Sequence, residues 1–200
     1  MTESNAEVAL MTETADAALL QGLREAPAEA AGPFYDRFAD SLLSFARACF
    51  PTDRQLAEDI VVQTFANAMR HLRRYDPRRA SLLTWLYAIA RRQVRDELRL
   101  RARRKSVPPS AQTSLEDAAS TAAGNDVSSR VAARVDAQRF LARLADDLSR
   151  VEFEVLILHS LDELSAKEIG RAIGRSERAV HSLLRRAKAK ARERLAHDEQ

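Results

Sequence analysis

The chain is expected to be all-α: two small helical domains joined by a flexible linker, the C-terminal one a helix-turn-helix. Three observations predict this. The 200 residues are 46% hydrophobic and 30% charged but only 6% aromatic, a mix poor in strand formers and rich in Ala, Leu, Arg and Glu. Apolar residues recur at helical spacing over long stretches. Across residues 106–130 that period dissolves into Ser, Ala, Thr and Pro, including Pro108-Pro109 and Gly124-Asn125, so a linker separates two modules.

The elements follow in order. Residues 1–27 form an N-terminal extension, polar and aperiodic at first, in which Asp16 caps a short helix through Glu25 with Leu19, Leu20 and Leu23 on one face. A second helix runs from about Glu29 to Cys49, its apolar stripe Phe34, Phe38, Leu42, Phe45 and Cys49. Pro51 stops it, and Thr52 with Gln55 makes a capping-box signature for the next helix. That helix buries Leu56, Ile60, Val61, Phe65, Ala68, Met69 and Leu72. Tyr75-Asp76-Pro77 breaks the pattern, because a residue before proline is pushed out of the helical region. Ser81 caps a fourth helix carrying Leu82, Trp85, Leu86, Ile89, Val94 and Leu98. The first module thus spans 28–105. Helical patterning resumes near Val131, breaks at Leu144–Arg150 and continues to the end, giving a second module over 131–200.

Charge is segregated along the chain. The net +3 divides into −7 over residues 1–69, +10 over 70–105, −5 over 106–170, +7 over 171–194 and −2 over 195–200. Two basic blocks suit two polyanion contacts, since each lysine or arginine beside a phosphate releases a counterion. Solvated helix faces produce the same charge runs, so charge alone leaves both readings open. The single cysteine, Cys49, excludes an intramolecular disulfide and a cysteine-only metal site. Its place on an apolar stripe reads as a small buried hydrophobe rather than a redox sensor. The longest uncharged, mainly apolar run is Ala80 to Ala90, short of the roughly 20 residues a membrane-spanning helix needs. The acidic N-terminus does not read as a signal peptide, and a cytoplasmic location without membrane insertion is expected.

The C-terminal module carries the sharper motif. Ser165 with Glu168 is a second capping box, opening a short helix that buries Ile169, Ala172 and Ile173. Gly174 ends it and Ser176 caps the next helix after a three-residue turn, which is the helix-turn-helix arrangement. On that last helix Val180, Leu183, Leu184 and Ala187 make one apolar stripe, while Arg178, His181, Ser182 and Arg185 repeat the spacing roughly opposite. The second face offers donors suited to a major groove, and Arg175, Arg186, Lys188 and Lys190 lie where flanking phosphates would be. In the first module the loop Tyr75-Asp76-Pro77-Arg78-Arg79-Ala80-Ser81 precedes a helix carrying Arg91, Arg92, Arg95 and Arg99. A cationic strip beside an aromatic is the chemistry for holding a separated DNA strand; Tyr75 is the stacking candidate, and Trp85 belongs to the core stripe.

These motifs, in this order, resemble a bacterial RNA polymerase sigma factor of the extracytoplasmic-function type. Ala57-Glu58-Asp59-Ile60-Val61 leading to Thr64-Phe65 is similar to the family's A-E-D-L-V-Q-E-T-F segment. Tyr75-Asp76-Pro77, Ser81, Trp85-Leu86 and Ile89-Ala90-Arg91 resemble its D-P-x-R-G-S-F-x-x-W-L-x-x-I-A-R-N stretch. Glu154-Val155-Leu156, Leu164-Ser165, Glu168-Ile169, Ile173-Gly174, Val180, Ser182 and Arg186-Ala187 fit its terminal helix-turn-helix. The resemblance implies promoter-specific initiation with core RNA polymerase. Region 2 would act on the −10 element through Tyr75, Asp76, Arg78, Arg79, Ser81, Arg91, Arg92 and Arg95. Region 4 would read −35 duplex through Arg175, Ser176, Arg178, His181, Ser182, Arg185, Arg186 and Lys188. Glu58, Asp59, Val62 and Gln63 would dock on the clamp of the largest polymerase subunit, and the second module on the flap of the other large subunit. Val62-Gln63, Ala80 and Arg92 depart from the family's usual Gln-Glu, Gly and Asn, and Ala179, His181 and Leu183 from its Thr, Lys and Arg. An anti-sigma partner is a further expectation, motivated by apolar and basic surfaces that must face polymerase or DNA in the active form.

Two rival classes fit the sequence less well. A simple repressor or activator explains the second basic block but not the first. A nucleic-acid enzyme lacks support: the four histidines are scattered without H-E-x-x-H spacing, no G-x-x-x-x-G-K-[ST] loop is present, and Asp146-Asp147 and Asp162-Glu163 read as solvated pairs. No catalytic residue, metal or cofactor is expected.

Overall fold

The structure, a computed structural model, describes residues 15–105, 140–161 and 164–198. The predicted linker 106–130 and the start of the helix predicted near Val131 lie outside the described residues. The elements are α1 (residues 15–25), α2 (Pro27–Cys49), α3 (Arg54–His71), a 3-10 turn (Leu72–Arg74), α4 (Leu82–Lys105), α5 (residues 140–147), α6 (Arg150–Leu161), α7 (Ala166–Ile173) and α8 (Glu177–Asp198). Among the described residues there is no strand, and no helix is long and apolar enough to cross a membrane.

The first unit is built on aromatic edges. Phe34, Phe38, Leu42 and Phe45 of α2 are buried, as their spacing predicts. Phe34 meets Phe38 and Phe65 edge-on at ring centroids 5.7 and 5.2 Å apart, and Phe45 meets Tyr87 at 5.4 Å. Each such pair adds about 0.5–1.5 kcal/mol to the area buried, and together they tie α2 to α3 and α4. Two predicted caps differ. Asp53, not Thr52, caps α3: its Oδ1 accepts from Leu56 N at 3.0 Å while its Oδ2 engages Arg101 of α4. A carboxylate there serves a cap and an inter-helix ion pair at once, which a hydroxyl cannot. Asp16 sits within α1 and accepts from Arg37 Nε at 2.8 Å, so it ties α1 to α2.

The second unit follows its motifs closely. Ser165 and Glu168 form the predicted reciprocal capping box on α7. Gly174 closes α7 in the left-handed conformation, φ +70°. Ser176 Oγ then accepts from Ala179 N at 3.3 Å at the head of α8. The turn is tight because Arg175 N donates to Gly170 O at 2.8 Å, folding the chain back over α7.

The two units are not held apart. One apolar cluster runs through both, with α2 lying against α6 and α4 against α7. The reason lies in α6, where every residue from Glu152 through Leu158 is buried. A helix with no solvent face must be covered on all sides, and α8 alone cannot do that.

Gly170 is the least replaceable position in the turn. A Cβ there would lie 2.6 Å from Arg175 O, a backbone atom. Gly170→Ala is therefore expected to destabilise the protein by about 2 kcal/mol or more, as overpacking that moves backbone does. Urea unfolding checks this, and a loss below the wild-type error would show that the turn gives way freely.

Candidate nucleic-acid interface

The cations of α8 divide into two sets by register. Val180, Leu184 and Ala187 are buried against the unit. Arg178, His181 and Arg185 are exposed on the outer face, Ser182 is half-buried, and Arg175 and Ser176 are exposed in the preceding turn. His181 Nε2 lies 3.9 Å from Glu177 Oε1, one turn back. This set can present donors to a groove. The other set reaches across to its own unit, although Arg186 and Lys188 stay exposed. Arg186 Nε donates to Glu152 Oε1 at 2.8 Å, and Lys190 Nζ to Glu152 Oε2 at 3.3 Å. Arg194 Nε donates to Asp147 Oδ2 at 2.6 Å, and Lys188 Nζ lies 2.9 Å from His159 Nε2. Arg186 and Lys188, predicted as phosphate contacts, are thus engaged with their own unit. They sit on the ridge nearest α6, where Glu152 needs a counter-charge.

Glu152 is the electrostatic anchor of this ridge. Its side chain is 6% exposed. The hydrogen bond from Arg186, with help from Ser149 and Lys190, outweighs burial and draws its carboxyl pKa down to about 2.

In the first unit, the loop Tyr75–Ser81 is ordered by its own polar groups. Asp76 Oδ1 accepts from Arg78 N at 3.0 Å, and Asp76 O accepts from Arg79 N at 3.0 Å. Both arginine side chains are exposed. Ser81 Oγ accepts from Thr84 N at 3.2 Å and is spent on capping α4. Tyr75 departs from expectation. It is 7% exposed, its ring lies 5.0 Å from that of Trp85, and its hydroxyl donates to Ala80 O at 3.0 Å. Burial, with Asp16 and Asp76 nearby, pushes its phenol up to about 12. Tyr75 is a core residue that props the loop, so its ring is not presented as a stacking platform.

Along α4, Arg92 is exposed and Arg95 half-buried. Arg91 is withdrawn: its side chain is 14% exposed and its Nε donates to Glu154 Oε2 of α6 at 2.5 Å. Glu154 was not singled out as a functional residue by its sequence, because a glutamate in an apolar helix shows nothing of what it faces. Arg171, exposed near the end of α7, carries no motif of its own; only the burial of Ala172 and Ile173 beside it marks it as a surface cation.

The third surface lies on α3. Asp59 and Gln63 are exposed, and Val62 is 59% exposed, a large apolar side chain left in solvent. Gln55 Nε2 donates to Asp59 Oδ1 at 3.1 Å, and Arg54 holds Glu58 at 2.8 Å, lowering the Glu58 carboxyl pKa through that hydrogen bond. Cys49 at the end of α2 packs against the core, and burial of its thiol, with Glu154 adding to the effect, pushes it up to about 12. Among the described residues no group of three or more His, Cys, Asp or Glu is placed to hold a metal ion.

Comparison with known proteins places this geometry. Residues 34–104 match the sigma-70 region 2 family and residues 141–190 the sigma-70 region 4 family. The chain is 30% identical over 178 residues to the RNA polymerase sigma factor NccH of Alcaligenes xylosoxydans xylosoxydans, covering 88% of this chain and 91% of that protein. Its fold is similar to CnrH, solved in complex with the cytosolic domain of CnrY: TM-score 0.68, 24% identity, 92% of this chain and 99% of the other. It is also similar to the sigma factor RpoE of Bartonella quintana, solved with the anti-sigma factor NepR: TM-score 0.58, 22% identity, 78% and 91% covered.

Because Glu152 has a depressed pKa, its contribution to stability is fully present above its ordinary value of 4.5 and is lost as pH falls toward about 2. Unfolding free energy should therefore decline over that window. Glu152→Gln should flatten the decline while lowering stability at pH 7; an unchanged profile would show that the ridge does not depend on this carboxylate.

Proposed function

Since the chain belongs to the sigma-70 family, of the extracytoplasmic-function type, and directs promoter-specific initiation, we propose how its units divide that work. Residues 28–105 act on the −10 element and on core polymerase, and 131–200 read the −35 element; 1–27 are an extension and 106–130 the connection. The observation that carries this is the outward set on α8: Arg178, His181 and Arg185 stand exposed on one face of a helix whose opposite face is locked into its unit. Such a helix can enter a major groove without unfolding anything.

Arg178 and Arg185 are the base-reading candidates, since guanidinium groups pair with the guanine edge. Arg175 and Arg171, exposed around the turn, suit phosphates. On the −10 side the donors are Arg78, Arg79 and Arg92, with Arg95 and Arg91 further along α4, while Tyr75 acts through the loop it supports. Core polymerase meets α3 at Asp59, Val62 and Gln63, where an exposed apolar residue between polar ones suits an interface. RNA synthesis itself is then polymerase chemistry. An anti-sigma protein is a fitting partner for exposed Val62 and Leu161, and native co-purification tests it.

Run-off transcription with core polymerase on genomic fragments tests the reading; absence of any transcript, with inhibitor removed, would sink it. Arg178→Ala and Arg185→Ala should each weaken −35 binding by about 1–3 kcal/mol in a sequence-dependent way. A uniform loss across sequences would reassign them to phosphates. Asp59→Ala should lower core association in a pull-down while leaving helix content unchanged, and wild-type retention would remove α3 from the interface.

A further inference from the structure

A second pair of arginines stands just before the loop Tyr75–Ser81, and no motif assigns it a role. Residues 70–79 hold five arginines against one aspartate, and of the five only Arg78 and Arg79 belong to the loop. Arg70 is spent on its own helix, donating from Nη2 to Asn67 Oδ1 at 2.7 Å and from Nε to Ala66 O at 3.3 Å. Arg73 and Arg74 are exposed, and among the described residues neither side chain has a hydrogen-bonded or ionic partner.

Their display follows from the 3-10 turn that carries them. Residues three apart lie above one another in a 3-10 helix. Leu72 and Tyr75 are such a pair, joined by a hydrogen bond from Tyr75 N to Leu72 O at 3.1 Å, and both are 7% exposed. With those two side chains anchored in the core, the two residues between them point away from it. Tyr75 also closes the loop, since its hydroxyl holds Ala80 O. The pairs 73–74 and 78–79 therefore bracket one buried residue, on a loop that returns to it. Arg74 and Arg78 are four positions apart, which limits their Cα atoms to about 14 Å. That is the length of about four phosphates on one stacked strand, at about 3.4 Å each.

The chemistry of this rim suits a nucleic-acid strand rather than a protein. Apart from Pro77, its exposed side chains are charged or polar, and none of the exposed large hydrophobic residues lies in it. Protein interfaces centre on apolar and aromatic contacts and are depleted of charge at their core. Asp76, the single acid, already accepts from Arg78 N. We infer that Arg73 and Arg74 clamp backbone phosphates of the separated −10 strand, next to those met by Arg78 and Arg79. The inference rests on the −10 role proposed for the loop Tyr75–Ser81 and extends that contact to the 3-10 turn before it. A turn fixed at both ends presents its guanidinium groups at little ordering cost. The contact positions the strand and carries no sequence information of its own.

The test uses holoenzyme assembled from core polymerase and the full chain. Its probe is a labelled single strand carrying the −10 element of a promoter found by run-off transcription. Affinity is measured between about 50 and about 200 mM salt, where each phosphate contact on a single strand adds about 0.7 to the slope of log affinity against log salt. The double variant Arg73→Ala, Arg74→Ala should lower that slope by about 1.4, so its affinity falls about sevenfold less than wild type over this range. The double variant Arg73→Lys, Arg74→Lys keeps both charges and should keep the slope. The change should be the same on a strand of scrambled sequence. An unchanged slope in the alanine variant overturns the proposal. So does an equal loss in the lysine variant, because charge would then not be what matters. Weaker retention of core polymerase in a pull-down, with the slope unchanged, overturns it by placing these arginines against protein. The double variant Arg78→Ala, Arg79→Ala separates the clamp from the reading beneath it. If that variant also leaves the slope unchanged, the −10 role of the loop has failed; if it lowers the slope while the 73–74 variant does not, only the clamp has.

Discussion

A helix whose middle is buried on every side organises this protein. From Glu152 to Leu158, α6 is buried without interruption, so α2 must cover one side of it and α7 and α8 others. Two of those buried residues are glutamates. An ionised carboxylate cannot remain in such a place unpaired, so each draws cations from neighbouring helices: Glu152 takes Arg186 and Lys190 of α8, and Glu154 takes Arg91 of α4 with Arg150 of its own helix. The apolar surface brings the helices together without specifying how they sit. The two carboxylates supply direction, because an ion pair with hydrogen bonds tolerates few geometries.

That demand explains how a basic protein distributes its charge. Along α8, positions 186, 190 and 194 recur every four residues and form one ridge paired with acids of α5 and α6, while 178, 181 and 185 fall on the outward face. A run of nine basic residues between 171 and 194 is therefore two populations with different work. One neutralises internal acids and fixes the recognition helix. The other stays in solvent, where a phosphate or base edge can replace water.

The first unit follows a related logic around its loop. Tyr75 and Trp85 pack together, the tyrosine hydroxyl holds Ala80 O, and Asp76 accepts the amide of Arg78. The aromatic pair is thus the floor of the loop, and the arginines are its exposed rim. Asp16 and Arg24 of α1 stand close enough to influence the tyrosine, so the N-terminal extension contributes to the loop's setting.

Much of this was legible beforehand, because it rests on local rules. Helical period, the Ser165–Glu168 box, the left-handed Gly174 and the Ser81 and Ser176 caps each depend on residues within four positions of one another, and all appear where expected. Asp53 displaced Thr52 as a cap because Arg101, forty-eight residues away, rewards a carboxylate there. Tyr75 in a polar loop looked available to a base until Trp85 covered it. Arg186 and Lys188 are exposed, as their place on α8 suggests, but Glu152 and His159 of α6 engage them, which spacing did not show. By itself, then, the sequence determined the helices, most of their ends, the helix-turn-helix and the family, since spacing along one chain encodes them. Only the tertiary structure decided which cations pair with internal acids and that the two units close through Arg91 and Glu154, because burial and charge pairing across sixty-three residues leave no trace in local spacing.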